Sequence, residues 1–218
     1  MIIVKLMGGL GNQMFQYAFG KYLAVKNNTE LKLDTSFLLD RTPTKKEHFV
    51  FRDYDLSIFN IDEQFASIEE VNNYTQRTSN RLLDKVLNIT LGLKKGYIKD
   101  MELHFLPNHL TIGKEAYIEG YWQSEKYFEP ISEDLKQKDF SFKEPLLEIS
   151  ENLIKHIKSV NAVCVNVRRG DFVTNSFHGT MGVDYYKNAE SLLLKKYNDI
   201  EIFVFSDEID WCEKNLKF

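Results

Sequence analysis

The sequence predicts an α/β protein made of two units, each with a parallel sheet. Three observations predict this fold class. The short apolar run at residues 2–6 ends in glycines, and residues 13–27 then carry apolar side chains at helical spacing. Strand and helix patterns alternate in both halves of the chain. Residues 140–145 interrupt this alternation, so we divide the chain into domains 1–143 and 144–218.

The elements of the first half follow from the spacing of apolar side chains. Residues 30–35 alternate polar and apolar side chains and predict a second strand, which completes a β–α–β unit with a right-handed crossover. The aromatic-rich residues 40–63 predict an ordered connection, and residues 64–95 predict two helical pieces separated at the polar residues 72–75. Further strands are predicted at 97–98 and 117–122, and a helix at 125–138.

The second half repeats the alternation of helices and strands. Its most apolar run, residues 162–167, predicts a buried strand of a parallel sheet. Because the pattern contains only two clear strands, we expect this domain to be incomplete, with its apolar sheet faces covered by further residues or by a partner. The predicted elements are a helix at 146–158, a strand at 162–167, a loop at 169–183, a helix at 184–197, a strand at 202–205 and a helix from residue 208.

Composition and charge narrow the class of protein. The 218 residues carry a net charge of −4 without a basic tail, which argues against binding to nucleic acid or to anionic membrane surfaces. No apolar run approaches the roughly 20 residues of a membrane helix, and residues 1–7 are too short for the apolar region of a signal peptide and lack its basic start. Cys164 and Cys212 form no C-x-x-C pair, so we expect two buried, reduced thiols. We therefore expect a cytoplasmic protein.

A glycine-rich turn follows the first strand. The pattern Gly9-x-Gly11-x-x-Met14, with Asp34 after the second strand, is similar to a dinucleotide-binding fingerprint but lacks its third glycine. Backbone amides at such a turn bind phosphates, and the amide side chains of Asn12 and Gln13 suit hydroxyl-rich ligands. A strand-to-helix turn that needs a positive φ explains the same glycines. Both interpretations stay open.

Two adjacent arginines, Arg168 and Arg169, follow the most apolar strand. Strand alternation places Asn166 and Arg168 on the face opposite to the valines. Arginines at the end of a buried strand need an anionic partner. A diphosphate accepts charge-assisted, bidentate bonds from Arg168, while Asp171 suits orientation of Arg169 or a bond to a ribose. A structural ion network between arginine and aspartate is the alternative.

Two further strand ends carry polar side chains. Ser206 and Asp207 end the last strand, at the edge where open α/β sheets bind ligands, although a helix cap explains them equally well. The segment Gly120-Tyr121-Trp122-Gln123-Ser124 offers an aromatic platform that ends in an amide, which suits a sugar face. Core aromatic residues at a strand end are an equally good explanation.

The sequence predicts no metal site. Asp53-Tyr54-Asp55 matches the D-x-D motif of some sugar-nucleotide transferases, but so short a match is common by chance in an acidic chain and lies away from a strand end. The histidines have no ligand spacing; His178, in the loop after the arginines, either faces a ligand or is a solvated loop residue. We therefore expect no metal site.

Together these segments resemble the bacterial GDP-fucose-dependent 1,2-fucosyltransferases of glycosyltransferase family 11. Four matches occur in the same order across the whole chain, which makes the resemblance specific to the family. They are GGLGNQMFQYA at Gly8–Ala18, IEGYWQSEKYF at Ile118–Phe128, VNVRRGDFV at Val165–Val173 and FVFSDEIDWCEKNL at Phe203–Leu216.

The resemblance implies a fold of two Rossmann-like domains in a GT-B-like arrangement, with the acceptor on the first domain and GDP-fucose mainly on the second. It implies that fucose moves from GDP-fucose to the 2-hydroxyl of a galactose on a glycan, with inversion and without a metal or other cofactor. Arg168 and Asn12 would be catalytic, and Gln13, Trp122 and Gln123 would bind the acceptor. The donor-binding residues would be Arg168, Arg169, Asp171, Ser206, Asp207, Gly9 and Gly11.

Two positions depart from the family pattern. Asn166 stands where the family motif has histidine and Phe172 where it has tyrosine, so the general base is not assigned. The resemblance implies GDP-fucose and a galactose-terminated glycan as partners, with at most peripheral association with membrane-bound glycan machinery. The alternatives are a nicotinamide-dependent oxidoreductase, which rests on Gly9, Gly11 and Asp34, and a non-catalytic protein that binds sugar nucleotides.

Overall fold

The structure is a computed structural model that describes residues 1–42, 50–75, 96–102, 104–145, 147–173 and 179–218. The chain divides into two compact units, with the main division between Glu144 and Pro145; Val50 is grouped with the second unit. Parts of the predicted aromatic connection, the second helical piece at 76–95 and His178 lie outside the described residues. Within the described ranges, no helix combines the length and apolarity needed to cross a membrane.

The first unit is built on a parallel four-stranded sheet. Its strand order is β2-β1-β4-β3, so β1 and β4 are central neighbours. A further parallel bridge joins Leu33 to Phe65 beside the edge strand β2. The strands are β1 (Ile2–Lys5), β2 (Leu31–Asp34), β3 (Tyr97–Asp100) and β4 (Ala116–Gly120).

The core of the first unit lies between this sheet and the long helix α1 (Leu10–Asn27). Ile2, Ile3 and Val4 are fully buried, as expected for a parallel strand covered on both faces. The helix ends at Asn28, whose left-handed φ of 48° suits asparagine and stops the helical ladder. The predicted β–α–β sequence of elements is therefore present.

In the described part of the first unit the other helical elements are short, and two differ in detail from the prediction. The polar residues 72–75, predicted to separate two helical pieces, are themselves helical and belong to Ile68–Thr75. The helix predicted at 125–138 is present but irregular: after the 3-10 turn Glu125–Tyr127 the chain is helical from Glu129 to Asp139 in consecutive 3-10, α and π turns, and Pro130, which supplies no backbone N–H, lies in the first turn of this run. The α-helices are α2 (Ser36–Leu39), α3 (Ile68–Thr75) and α4 (Ser132–Asp134), the 3-10 turns are Leu56–Ile58, Pro107–Thr111, Glu125–Tyr127 and Glu129–Ile131, and a π turn spans Leu135–Asp139.

The second unit holds a pair of parallel strands, β5 (Asn161–Val167) and β6 (Ile200–Ser206), with Val167 opposite Ser206. The predicted alternation is present, since Val167 is buried while Asn166 is exposed. The same alternation exposes Cys164, which corrects the expectation of two buried thiols; Cys212 is buried, and both are free. The helices are α5 (Glu148–Ser159), α6 (Val183–Leu194) and α7 (Ile209–Asn215), with a 3-10 turn at Gly170–Phe172.

Candidate functional site

The glycine turn after β1 leaves open space over the start of α1. Gly8 adopts a positive φ of 76°, and a Cβ there would collide with the side chain of Asn12. Gly9 precedes the helix in an extended conformation, and a Cβ at Gly9 or Gly11 would meet no atom within 4 Å. Gly8 therefore satisfies the conformational need of the turn, whereas Gly9 and Gly11 leave room for a ligand.

A hydrogen bond joins the two central strand ends of the first sheet. Gln123 Nε2 donates to Asn12 Oδ1 at 2.6 Å, which links the loop after β4 to the first turn of α1. Gln123 is exposed and Asn12 is half-buried. The fold thus brings two of the predicted site residues, 111 positions apart, to the carboxyl edge of the sheet.

Gln13 has a different environment from the one predicted. Its side chain is fully buried, and Nε2 donates to the carbonyl oxygens of Gly8 at 2.9 Å and Asp53 at 2.8 Å. Its Oε1 accepts the backbone N–H of Asp55 at 3.0 Å. Because both amide ends bind main chain, Gln13 positions the glycine turn against residues 53–55 rather than presenting an amide to an acceptor.

Trp122 is also an interior residue rather than an open platform. It is 2% exposed, and its ring centroid lies 4.8 Å from that of Phe19 and 4.9 Å from that of His109. Its φ of 53° is left-handed, which is uncommon for a bulky residue and turns the chain sharply after β4. This turn places Gln123 beside Asn12, so Trp122 acts by positioning its neighbour.

A buried polar network lies beneath Trp122. The backbone N–H of Leu106 donates to the Tyr127 hydroxyl at 2.8 Å, and that oxygen lies 3.3 Å from His109 Nδ1. His109 Nε2 lies 3.3 Å from Asp100 Oδ2 at the end of β3. Burial lowers the pKa of His109 below its ordinary value of 6.5, and it outweighs the opposite effect of Asp100. A neutral ring fits this setting, with Nδ1 accepting from Tyr127.

Asp34, the carboxylate that the oxidoreductase alternative requires for binding a ribose, already has two hydrogen-bond partners within the fold. Asp34 is 3% exposed; one oxygen accepts the Tyr117 hydroxyl at 2.6 Å and the other accepts the backbone N–H of Ser36 at 2.9 Å. A ribose would have to displace both partners from a buried site. Asp53 of the D-x-D match pairs with Arg41.

In the second unit, Arg169 is held by three groups around the end of β6. Its guanidinium carbon lies 3.9 Å from the ring centroid of Trp211. Its Nε lies 3.3 Å from Glu208 Oε2, and its backbone N–H donates to Asp207 Oδ1 at 2.9 Å. Arg169 and Asp207 therefore form a preorganised corner between the carboxyl ends of the two parallel strands.

Arg168 differs from its neighbour in exposure. It is exposed, and its guanidinium carbon lies 4.3 Å from the ring centroid of Phe172. Gly170 lies so close to Asp207 that a Cβ would stand 2.8 Å from Oδ2. The backbone of Asp171 falls in the 3-10 turn, but its side chain lies outside the described part of the chain. An exposed, stacked guanidinium suits binding of an anion.

Ser206 has the local role that the sequence left open. Its hydroxyl accepts the backbone N–H of Glu208 at 2.9 Å and so supports the turn into α7. Asp207, by contrast, bonds across to the neighbouring strand end through Arg169. The two polar residues that end β6 therefore organise the same corner in different ways.

Sequence reasoning missed the aromatic partners of the arginines and the network beneath Trp122. Trp211 had a signal in the sequence, because it lies in the first turn of α7, four positions after Asp207. The contact between His109 and Asp100 had no local signal. Among the residues that the structure describes, no group of three His, Cys, Asp or Glu side chains is arranged to hold a metal ion.

The family model described as "Glycosyl transferase family 11" matches residues 1–218. A protein of Escherichia coli named "Alpha-1,2-colitosyltransferase" is 32% identical over 217 residues, which cover 98% of this chain and 71% of that protein. Another from the same species, "O-antigen biosynthesis glycosyltransferase WbnK", is 32% identical over 95% of this chain and 73% of its own length. No solved structure gives a significant match.

Proposed function

Since the chain belongs to glycosyltransferase family 11, we propose that it transfers L-fucose from GDP-fucose to the 2-hydroxyl of a galactose in a surface glycan or oligosaccharide. The observation that carries the proposal is the corner at the ends of β5 and β6. There the exposed Arg168, whose guanidinium stacks on Phe172, directly precedes Arg169, whose backbone N–H donates to Asp207, at the sheet edge where α/β proteins bind nucleotides.

In the proposed reaction, Arg168 binds the diphosphate of the donor. The acceptor hydroxyl loses its proton to a base, its oxygen bonds to the anomeric carbon, and the carbon–phosphate oxygen bond breaks. The bonding electrons leave with the diphosphate, which gains negative charge. Arg168 accelerates the reaction because its attraction to the leaving phosphate oxygen grows as negative charge develops there. Attack from the face opposite the leaving group gives inversion.

The first unit takes the acceptor in this proposal. Asn12 faces the reaction centre, with Gln123 bonded to its side-chain oxygen. Gly9 and Gly11 allow the donor to approach the start of α1 closely, because neither position carries a side chain. Gln13 and Trp122 contribute by holding these groups in place. The GT-B-like arrangement of the two domains is part of the same proposal.

Metal-independent chemistry also belongs to the proposal, with Arg168 neutralising the diphosphate in place of a cation. The proposal also includes a cytoplasmic location and peripheral contact with membrane-bound glycan machinery. A relative named as an O-antigen biosynthesis glycosyltransferase supports a surface glycan as the destination of the sugar.

A second donor has a specific observation in its favour. The relative named as an alpha-1,2-colitosyltransferase matches 98% of this chain at 32% identity. We therefore carry GDP-colitose as the alternative donor, with the same linkage and the same residue roles.

The test is a transfer assay with GDP-fucose or GDP-colitose and galactosides as acceptors, with and without a chelator. We expect one GDP-sugar to be consumed, with a 1,2-linked product detected by mass spectrometry and NMR. Calorimetry with GDP and NAD runs in parallel. Binding of GDP without turnover would indicate a non-catalytic protein. Binding of NAD alone would move the assignment to an oxidoreductase.

A further inference from the structure

An apolar groove lies in the first unit, between the first turns of α1 and residues 125–140. Its volume is about 400 Å³. The rings of Phe15 and Phe128 pack against each other in its lining, tilted by 58° with centroids 5.8 Å apart. Its floor consists of six buried or half-buried apolar residues: Met14, Phe15, Ala18, Phe128, Leu135 and Phe140.

The groove adjoins the candidate acceptor edge. Gly11 and Glu125 line it, and each is close in sequence to one member of the Asn12–Gln123 hydrogen bond. Because that bond holds the two segments together, a ligand placed over Asn12 has the groove beside it. The first turn of α1 contributes Gly11 to the groove and Asn12 to the candidate acceptor edge.

The distribution of polar groups restricts what the groove can hold. Glu125, Glu129 and Lys136 line it and are exposed, and Ser132 adds one half-buried hydroxyl, whereas the six floor side chains carry no hydroxyl, amide or charge. A sugar hydroxyl on this floor would lose its water without gaining a partner, which is unfavourable. The rim has charges of both signs, and Lys136 already pairs with Glu133 at 3.0 Å. The chemistry therefore favours an uncharged apolar occupant over a sugar or a phosphate.

We propose that this groove binds an alkyl or aryl group joined to the acceptor galactose. The inference rests on the proposed function, because it assumes that the galactose lies over Asn12. Burial of four methylene groups on the apolar floor raises affinity on the order of 100-fold, at about 0.8 kcal/mol each. Such a group would fix the direction in which the acceptor enters the site.

Calorimetry with two probes tests this inference. Methyl β-D-galactoside and octyl β-D-galactoside are titrated into the full chain, the latter below its critical micelle concentration. We expect the octyl compound to bind at least 10-fold more tightly. Met14→Gln makes the floor polar at almost unchanged size, and we expect it to reduce this advantage to less than threefold. Val25→Gln is the matched control, because Val25 is exposed on the same helix outside the groove.

A second variant protects the test against misfolding. Ser132→Phe fills the groove from a half-buried position, and we expect the same loss of the octyl advantage. Equal affinities for the two galactosides would overturn the inference. So would an octyl advantage that Met14→Gln and Val25→Gln reduce equally, because the apolar contact would then lie elsewhere.

Transfer to methyl β-D-galactoside reports on the proposed function separately, since this acceptor has almost no apolar group. Transfer to the methyl compound, with no higher affinity for the octyl compound, would sustain the proposed function and overturn the inference that the groove binds an apolar group. No transfer to either compound, with an octyl advantage that depends on Met14, would sustain an apolar site and contradict the proposed acceptor.

Discussion

Gln123 donates its side-chain amide to Asn12 Oδ1 across 2.6 Å, and this bond unites the two central strand ends of the first sheet. Asn12→Ala and Gln123→Ala should each lower kcat/KM. We expect the double variant to be little worse than either single one, with a coupling free energy of about 0.5–1.5 kcal/mol, because both changes remove the same bond. A double-mutant cycle in the transfer assay measures this, and fully additive losses would contradict a shared role.

Replacing the two arginines one at a time by lysine should affect catalysis at Arg168 and stability at Arg169. Arg168→Lys should lower kcat by about 10²–10³-fold, comparable to loss of an oxyanion-hole donor, while the unfolding midpoint stays near that of the wild type because Arg168 is exposed. Arg169→Lys should lower the unfolding midpoint, because it weakens the stacking on Trp211 at 3.9 Å, a contact worth about 0.5–2 kcal/mol.

Kinetics and thermal unfolding of both variants check this pair of expectations. Turnover of Arg168→Lys close to the wild-type value would refute the role assigned to its planar guanidinium.

The close approach of Gly170 to Asp207 gives a test of the corner at the ends of β5 and β6, where we propose that GDP binds. Gly170→Ala places a Cβ 2.8 Å from Asp207 Oδ2, so the exposed carboxylate must rotate away from the Arg169 N–H. We expect GDP affinity to fall at least 10-fold with little loss of stability. Gly182→Ala is the control, since its φ of −77° suits alanine and its Cβ meets no atom within 4 Å. Equal GDP affinity in the two variants would remove Asp207 from the site.

His109 should make stability depend on pH. Burial holds its pKa below 6.5 in the folded chain, so the unfolded chain binds the proton more readily. The contribution of His109 is therefore complete above pH 6.5 and is lost as pH falls from 6.5 through its folded pKa. The neighbouring Asp100 carboxylate reduces the effect but does not reverse it.

Denaturant unfolding from pH 5 to 8 measures this dependence. The wild type should lose unfolding free energy below pH 6.5 more steeply than His109→Gln, which cannot take up the proton. Parallel curves for the two proteins would show that another group is responsible.

Much of the architecture was predictable from local pattern. The apolar run of β1, its glycines and the spacing along α1 predict the first strand, turn and helix, because period and turn chemistry are short-range properties. The alternation at Val167 and Asn166 likewise predicts which face of β5 is buried. The same local reasoning missed the irregularity at 125–138, where Phe128 separates two helical runs and Pro130 lies in the first turn of the second.

The sequence by itself determined the family, the strand–helix order and the positions of the glycine turn and the arginines. Only the tertiary structure decided how those residues are used. It turned Gln13 and Trp122 inward, engaged Asp34 with Tyr117, and brought Gln123 to Asn12. The physical reason is that a motif specifies which polar groups are present, whereas their partners come from distant parts of the chain that meet only when the sheet and its loops pack together.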